Sequence, residues 1–310
     1  MNDAFFSLLN QILVLFFMMA AGYAARKAQV LNQETIKGIS LLILQVTLPS
    51  LIVSSMQFPF SMELLHTSLL IVGISIVTYG VIILFSRLYV RLVKEEGPRG
   101  DVLQFLLVFS NVAFMGFPIV SVLYGDLGIF YTALFNIPFN LLLVTLGVAI
   151  MSRSTGQSSG KMNFKKAFRS PGVIAVLLGF TFFVLPVSIP GPLLESLQLI
   201  GGTTTPLSMM IIGGMLADIP FRSVFGDRAL YQATVVRLLL MPLMMYLPLR
   251  LLGFTGIMLG IPVIIIAMPV AANAGAFARL YDSDYYFASK AVFLTTLCSI
   301  LTIPLWALFL

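Results

Sequence analysis

Long apolar runs separated by short polar breaks dominate this sequence and limit how it can fold. A helix that crosses a bilayer needs about 20 apolar residues, and only helices and closed barrels satisfy their backbone hydrogen bonds in lipid. The sequence therefore predicts an all-α membrane protein with ten transmembrane helices. We place the spans at about residues 4–25, 36–56, 64–92, 102–121, 128–151, 171–188, 192–217, 228–252, 257–279 and 285–309.

The composition excludes a soluble domain. Of 310 residues, 59% are hydrophobic and 10% are charged, whereas soluble domains average about 25% charged residues. The formal net charge of +6 is typical of membrane proteins, whose short cytoplasmic loops carry an excess of Lys and Arg. We therefore expect the lipid bilayer as a partner and no binding to nucleic acid.

Few residues are suited to metal binding or catalysis. Cys298 is the single cysteine and His66 the single histidine, which excludes an intrachain disulfide, a cysteine metal cage and a histidine cluster. The sequence has no paired-Asp motif, no Walker loop and no triad pattern. We expect no metal, no cofactor and no enzymatic activity.

The distribution of positive charge predicts the orientation. Of the 18 Lys and Arg residues, 16 lie in or beside the odd-numbered loops. These loops should face the cytoplasm, which places both termini on the extracellular or periplasmic side. The longest polar stretch, residues 152–170, is predicted to be a cytoplasmic linker between a first five-helix repeat, residues 1–151, and a second one, residues 171–310.

A shift of 157 residues brings similar residues of the two halves together. The matches are Gly22 with Gly179, Pro49 with Pro206, and Leu123-Tyr124 with Leu280-Tyr281. Chance coincidence among abundant Leu and Gly is the alternative. An odd number of spans per half would invert the second half in the membrane, and inverted repeats are a recurrent architecture of secondary transporters.

Two spans carry helix-breaking and polar residues at mid-depth. Span 4 contains Asn111, Gly116 and Pro118, and span 9 contains Pro269 and Asn273. Interrupted apolar segments at corresponding places in two halves indicate a transporter binding site. The alternative is that both Asn side chains form hydrogen bonds between packed helices.

Arg237 lies about ten residues into span 8, where an arginine costs at least ~2.5–3.5 kcal/mol to insert. No Asp or Glu lies at mid-depth in any predicted span. Arg237 should therefore bind either Asn side chains and freed carbonyl groups or an anionic substrate. The missing acids argue against a proton relay. Sodium bound by neutral oxygens remains an alternative, and the candidates are freed carbonyl groups and the hydroxyls of Thr47, Ser50 and Thr204.

The proline breaks in spans 2, 5 and 7 supply weaker candidates for the lining of a cavity, each with packing as the alternative role. These candidates are Thr47, Pro49, Asn136, Thr205 and Pro206.

Several stretches in this order resemble the auxin efflux carrier family, which includes plant PIN-FORMED carriers and bacterial organic-acid permeases. The matching stretches are residues 22–31, 48–52, 111–118, 206–216, 237–242 and 268–273. The resemblance implies a 5+5 inverted repeat in which spans 4 and 9 cross at broken points, as in sodium/proton antiporter and bile-acid symporter folds. It also implies scaffold and transport domains each drawn from both repeats, elevator-like movement and often a homodimer.

We therefore predict a secondary transporter of small organic anions, such as carboxylates, in a prokaryotic plasma membrane. One alternative is a transporter of neutral or amphipathic solutes, in which Arg237 is structural. Another is a membrane sensor without turnover.

Overall fold

The computed structural model of the chain describes residues 2–156, 169–219, 224 and 226–310, and this part is helical without named strands. The first helices are α1 (Asn2–Lys27), α2 (Gln33–Ser55), α3 (Met62–Val93), α4 (Gly97–Val108), α5 (Val112–Met151) and α6 (Pro171–Val184). The remaining helices are α7 (Gly191–Ala217), α8 (Arg228–Leu251), α9 (Gly256–Ala267), α10 (Ala274–Leu280) and α11 (Tyr285–Leu308).

The helical class and the membrane character agree with the sequence prediction. Among the described residues, six helices (α2, α3, α5, α7, α8 and α11) are long and apolar enough to cross a membrane, and α6 and α9 are shorter apolar helices. The chain is thus a multi-pass membrane protein. Predicted and observed ends agree within about five residues, whereas ten complete spans remain a prediction. Residues 157–168 of the predicted linker lie outside the described residues.

The predicted spans 4 and 9 are both interrupted. Span 4 consists of α4, which ends at Val108, and the beginning of α5, which starts at Val112. Span 9 consists of α9 and the short α10, with six residues between them outside any helix. Spans 4 and 5 meet inside α5 at Gly125, whose φ of 60° and ψ of −150° are not helical. Glycine adopts this conformation without the steric penalty that a Cβ atom would bring.

Widened π-helical turns precede three of the prolines inside helices. They are Ile43–Thr47 before Pro49, Val112–Gly116 before Pro118, and Val236–Leu240 before Pro242. Proline has no N–H to donate, and its ring clashes with the carbonyl group four residues earlier. A π turn relieves that crowding without ending the helix, so the prolines modify the helices locally and leave backbone carbonyl groups for other partners.

The described chain divides into two compact units, and the first comprises Met1–Val72, Ala113–Ile137 and Phe168–Asp218. In this unit α1 packs against α7 at two glycines. A Cβ atom at Gly22 would overlap the backbone of Met210, and one at Gly213 would overlap the backbone of Met19. Small residues allow helices to approach closely where lipid provides no hydrophobic driving force.

The second unit comprises Gly73–Val112, Pro138–Ala167 and Ile219–Leu310. Its packing satisfies a carbonyl group that a proline leaves free. Pro242 cannot donate to the oxygen of Leu238, and the indole Nε1 of Trp306 donates to that oxygen instead, at 2.9 Å. Burial without such a donor would cost about 1–3 kcal/mol, so the contact holds α11 against the widened turn of α8.

Candidate functional site

The interruptions of spans 4 and 9 lie side by side in the second unit. The N–H of Asn111 donates to the oxygen of Pro269 at 2.8 Å, and the N–H of Ala271 donates to the oxygen of Phe109 at 3.0 Å. Ser110 and Val270 form an antiparallel bridge between these bonds. We call residues 109–111 and 268–273 the crossover. Non-helical backbone is tolerated at this depth because the two segments satisfy one another's polar groups.

Local sequence explains where α9 stops at the crossover. Pro269 disfavours helical geometry for the preceding residue, and Met268 is extended, with φ −61° and ψ 146°. Phe109 is extended as well, with φ −104° and ψ 111°. The hydroxyl of Thr295 on α11 accepts a hydrogen bond from the N–H of Val270 at 3.2 Å. Nothing in the sequence distinguished Thr295 from other threonines of an apolar helix.

Arg237 lies in the π turn of α8 and is 1% exposed. Its Nη1 donates to the oxygen of Leu107 at 2.7 Å, and its Nε donates to the oxygen of Met268 at 3.2 Å. These oxygens lie in the last turn of α4 and immediately after α9, at the negative ends of two helix dipoles. In the described part of the chain, no carboxylate forms an ion pair with Arg237. Freed carbonyl groups, one of the two partners expected from the sequence, thus bind the guanidinium.

Two buried donors at the crossover have no hydrogen-bond acceptor among the described residues. They are Nη2 of Arg237 and Nδ2 of Asn111, and Asn111 is 3% exposed. A buried donor without an acceptor costs about 1–3 kcal/mol, and native proteins retain few of them without a functional reason. Beside these donors, the hydroxyl of Tyr79 interacts with Ser110 and with the charge of Arg237.

The charge at the crossover is that of the Arg237 guanidinium, which donates to the backbone oxygens of Leu107 and Met268. The described residues contain no group of three or more His, Cys, Asp or Glu side chains that could hold a metal ion. The polar side chains at the crossover are neutral apart from the guanidinium. A carboxylate accepts several hydrogen bonds and is chemically suited to either of the two free donors.

The predicted site residues divide between the two units. Asn111, Arg237, Pro269 and Asn273 belong to the second unit, where Asn111 and Arg237 contact the crossover backbone and partly exposed Asn273 precedes α10. The first unit contains the other predicted site residues: Thr47, Pro49, Gly116, Pro118, Asn136, Thr205 and Pro206.

In the first unit, the paired proline breaks of α2 and α7 lie close together. The hydroxyl of Thr204 donates to the hydroxyl of Thr47 at 2.9 Å, and both residues are buried. Thr204, which the sequence indicates together with Thr47 as a candidate neutral oxygen ligand for sodium, therefore faces Thr47. The two threonines are 157 residues apart, which equals the shift that superposes the two halves of the sequence.

Comparisons with known proteins agree with a transport function. A family described as membrane transport protein matches residues 7–307. An uncharacterized transporter of Methanothermobacter thermautotrophicus is 27% identical over 301 residues, 96% of this chain and 97% of the relative. An uncharacterized transporter of Methanocaldococcus jannaschii is 24% identical over 309 residues, 96% of this chain and 97% of the relative. The matches indicate a transporter and not an enzyme.

Proposed function

We propose that this chain, which belongs to the membrane transport protein family, is a secondary transporter that carries small organic anions such as carboxylates. The family assignment confirms the resemblance to auxin efflux carriers found in the sequence motifs. The observation that carries the proposal is the buried guanidinium of Arg237, which forms no ion pair with a carboxylate of the described residues. Its Nη2 and the nearby Nδ2 of Asn111 have no hydrogen-bond acceptor in that part of the chain.

A carboxylate fits the chemistry of these donors. Hydrogen bonds between an ionised group and a donor are about twice as strong as neutral ones, and a guanidinium binds carboxylate oxygens with geometric specificity. The beginning of α5, which follows Asn111, adds the partial positive charge of a long helix N-terminus. The proposed site therefore comprises Asn111, Arg237 and the crossover backbone, with Asn273 at its exposed end.

An architecture of ten spans in a 5+5 inverted repeat is part of the proposal, and contacts in the first unit support it. The bond between Thr47 and Thr204 joins residues related by the 157-residue shift. Gly213 packs on α1 next to Tyr23, one residue from Gly22, while Gly179 packs on Met56. The 157-residue shift relates Gly22 to Gly179 and Met56 to Gly213. The contact of Gly213 beside Gly22 is therefore equivalent to the contact of Gly179 with Met56, as a two-fold relation between the repeats would require.

Both compact units contain segments from each half of the sequence. This composition supports the proposal of a scaffold domain and a transport domain that are each drawn from both repeats. The matching of broken segments in the two halves is typical of carriers that alternate access around a site near the midplane. We therefore propose an elevator-type mechanism in which the crossover moves with its substrate.

Uptake into proteoliposomes tests the proposed function. Purified protein should be stabilised against heat by small dicarboxylates, such as malate and malonate, and not by the corresponding neutral diamides, because only the acids carry the charge that Arg237 and Asn111 would bind. The stabilising acids should then enter vesicles that contain the protein. Binding without flux would favour a sensor, and flux of the diamides at equal rates would favour a transporter of neutral solutes.

We also propose that both termini are extracellular or periplasmic and that residues 152–170 are cytoplasmic, in the plasma membrane of a prokaryote. Ion pairs that join odd-numbered loops support a common side for these loops, and their excess of Lys and Arg supports the cytoplasmic side. Arg26 pairs with Asp218 at 2.7 Å in the first unit, and Arg99 pairs with Asp227 at 2.6 Å in the second. Each pair would lie on the cytoplasmic side.

Cysteine labelling in intact cells checks the topology. In a Cys298→Ala background, a cysteine at Ser158 should be protected from an impermeant maleimide until the membrane is permeabilised. A matched cysteine at Ser188, in the even-numbered loop after α6, should react from outside. The reverse pattern would overturn the proposed orientation.

A further inference from the structure

The guanidinium of Arg237 donates to carbonyl groups of a kind that coordinates the coupling cation in other carriers. The final carbonyl groups of a helix lack intrahelical donors and carry a partial negative charge of about −0.5. In secondary transporters, the C-terminal ends of broken helices and unwound carbonyl groups coordinate the coupling cation. Here the oxygens of Leu107 and Met268 occupy these positions at α4 and α9, and Arg237 donates to both.

We infer that Arg237 is a resident cation of the crossover, covalently held where a coupling cation would otherwise bind. This inference rests on the proposed transport function of the same site. Arginine does not lose its proton in proteins, so its charge remains in place throughout a transport cycle. Sodium and lithium are therefore not required for substrate binding or flux.

The packing of α8 supports a fixed position for this charge. The π turn Val236–Leu240 holds Arg237 at 1% exposure, and Nη1 also lies 3.7 Å from the sulfur of Met241. No Asp or Glu of the described residues forms an ion pair with the guanidinium. Two helix ends therefore offset part of the positive charge. Nη2 has no acceptor among the described residues and can bind an anionic substrate.

A resident cation and an uncharged packing role give different results when the side chain is removed. Loss of packing leaves a cavity, which a soluble cation does not refill. Loss of a resident cation leaves two negative helix ends that a small cation of the right shape can bind. Replacing Arg237 by Ala should therefore lower the melting temperature and create a binding site for methylguanidinium.

The experiment measures heat unfolding of purified Arg237→Ala with added methylguanidinium chloride at concentrations well below denaturing ones. We expect the salt to raise the melting temperature of the variant by about 2–4 °C and to leave the wild type unchanged. Tetramethylammonium chloride, which has no N–H donors, should not stabilise the variant. Met245→Ala is the matched control, because Met245 is buried on the same helix and its loss leaves a cavity without removing charge.

The inference is overturned if methylguanidinium fails to stabilise Arg237→Ala, if it stabilises Met245→Ala equally, or if wild-type flux requires sodium. If Arg237→Ala cannot be purified, the melting temperatures of Arg237→Lys and Arg237→Gln test the inference. A resident cation predicts a higher melting temperature for Arg237→Lys than for Arg237→Gln, because lysine keeps the positive charge. Equal melting temperatures would contradict it. The melting-temperature measurement needs no substrate. If methylguanidinium stabilises Arg237→Ala but the wild type transports no anion, the inference about Arg237 stands and only the proposed substrate is refuted.

Discussion

Replacing Asn111 by Ala should reduce anion transport at least tenfold while leaving the protein as stable as before or slightly more stable. The amide Nδ2 is buried and has no acceptor among the described residues, so removing it relieves a desolvation cost of about 1–3 kcal/mol. The backbone bond to Pro269 persists, because it uses the main-chain N–H. A hydrogen bond to a charged ligand contributes about 1.5–3 kcal/mol, which corresponds to a loss in affinity of roughly 10–150-fold.

Ser299→Ala is the matched control for Asn111→Ala. Ser299 is fully buried on α11 in the same unit, and its hydroxyl donates to the oxygen of Thr296 at 2.6 Å. Removing a hydroxyl that is bonded within its own helix should change both flux and melting temperature only slightly. Dissociation constants from ligand-induced heat stabilisation and uptake rates would be measured for both variants. A destabilised Asn111→Ala with normal affinity would show that the amide is structural.

A membrane potential should drive the flux of a monovalent anion far more strongly than a pH gradient. Moving one charge through 100 mV corresponds to about 2.3 kcal/mol, which changes the accumulation ratio roughly 50-fold. Proton coupling would need an acid or histidine at depth, and the buried polar residues of the crossover supply none. Uptake into proteoliposomes with a potassium diffusion potential, at equal pH on both sides, measures this effect.

The neutral amide of the same monovalent acid provides the control for the driving force, since its distribution should not respond to potential if it crosses at all. The pH arm uses a gradient of one unit while the potential is held at zero. Accumulation of the anion under that gradient would contradict an uncoupled carrier and would indicate a titrating group that the crossover does not reveal.

The sequence by itself determined the helices and the places where they break. Apolar runs of this length must be helical in lipid, because each helix satisfies its own backbone, and this constraint fixed most helix ends within a few residues. The breaks at Asn111 and Pro269 were predictable for a related reason. Proline disfavours helical geometry in the residue before it, and asparagine side chains compete for backbone hydrogen bonds. Both effects weaken a helix locally, although Pro118 and Pro242 lie inside helices that continue.

Only the tertiary structure decided which groups meet at those breaks. Leu107 and Arg237 are 130 residues apart, and nothing in the side chain of Leu107 indicates that its carbonyl oxygen accepts from a guanidinium. Likewise, nothing in the sequence around Thr295 indicates that its hydroxyl accepts a hydrogen bond from the N–H of Val270. Every residue carries the same backbone carbonyl group. The sequence therefore predicts that some carbonyl groups at a broken helix lack intrahelical donors, but packing decides which side chain donates to each of them.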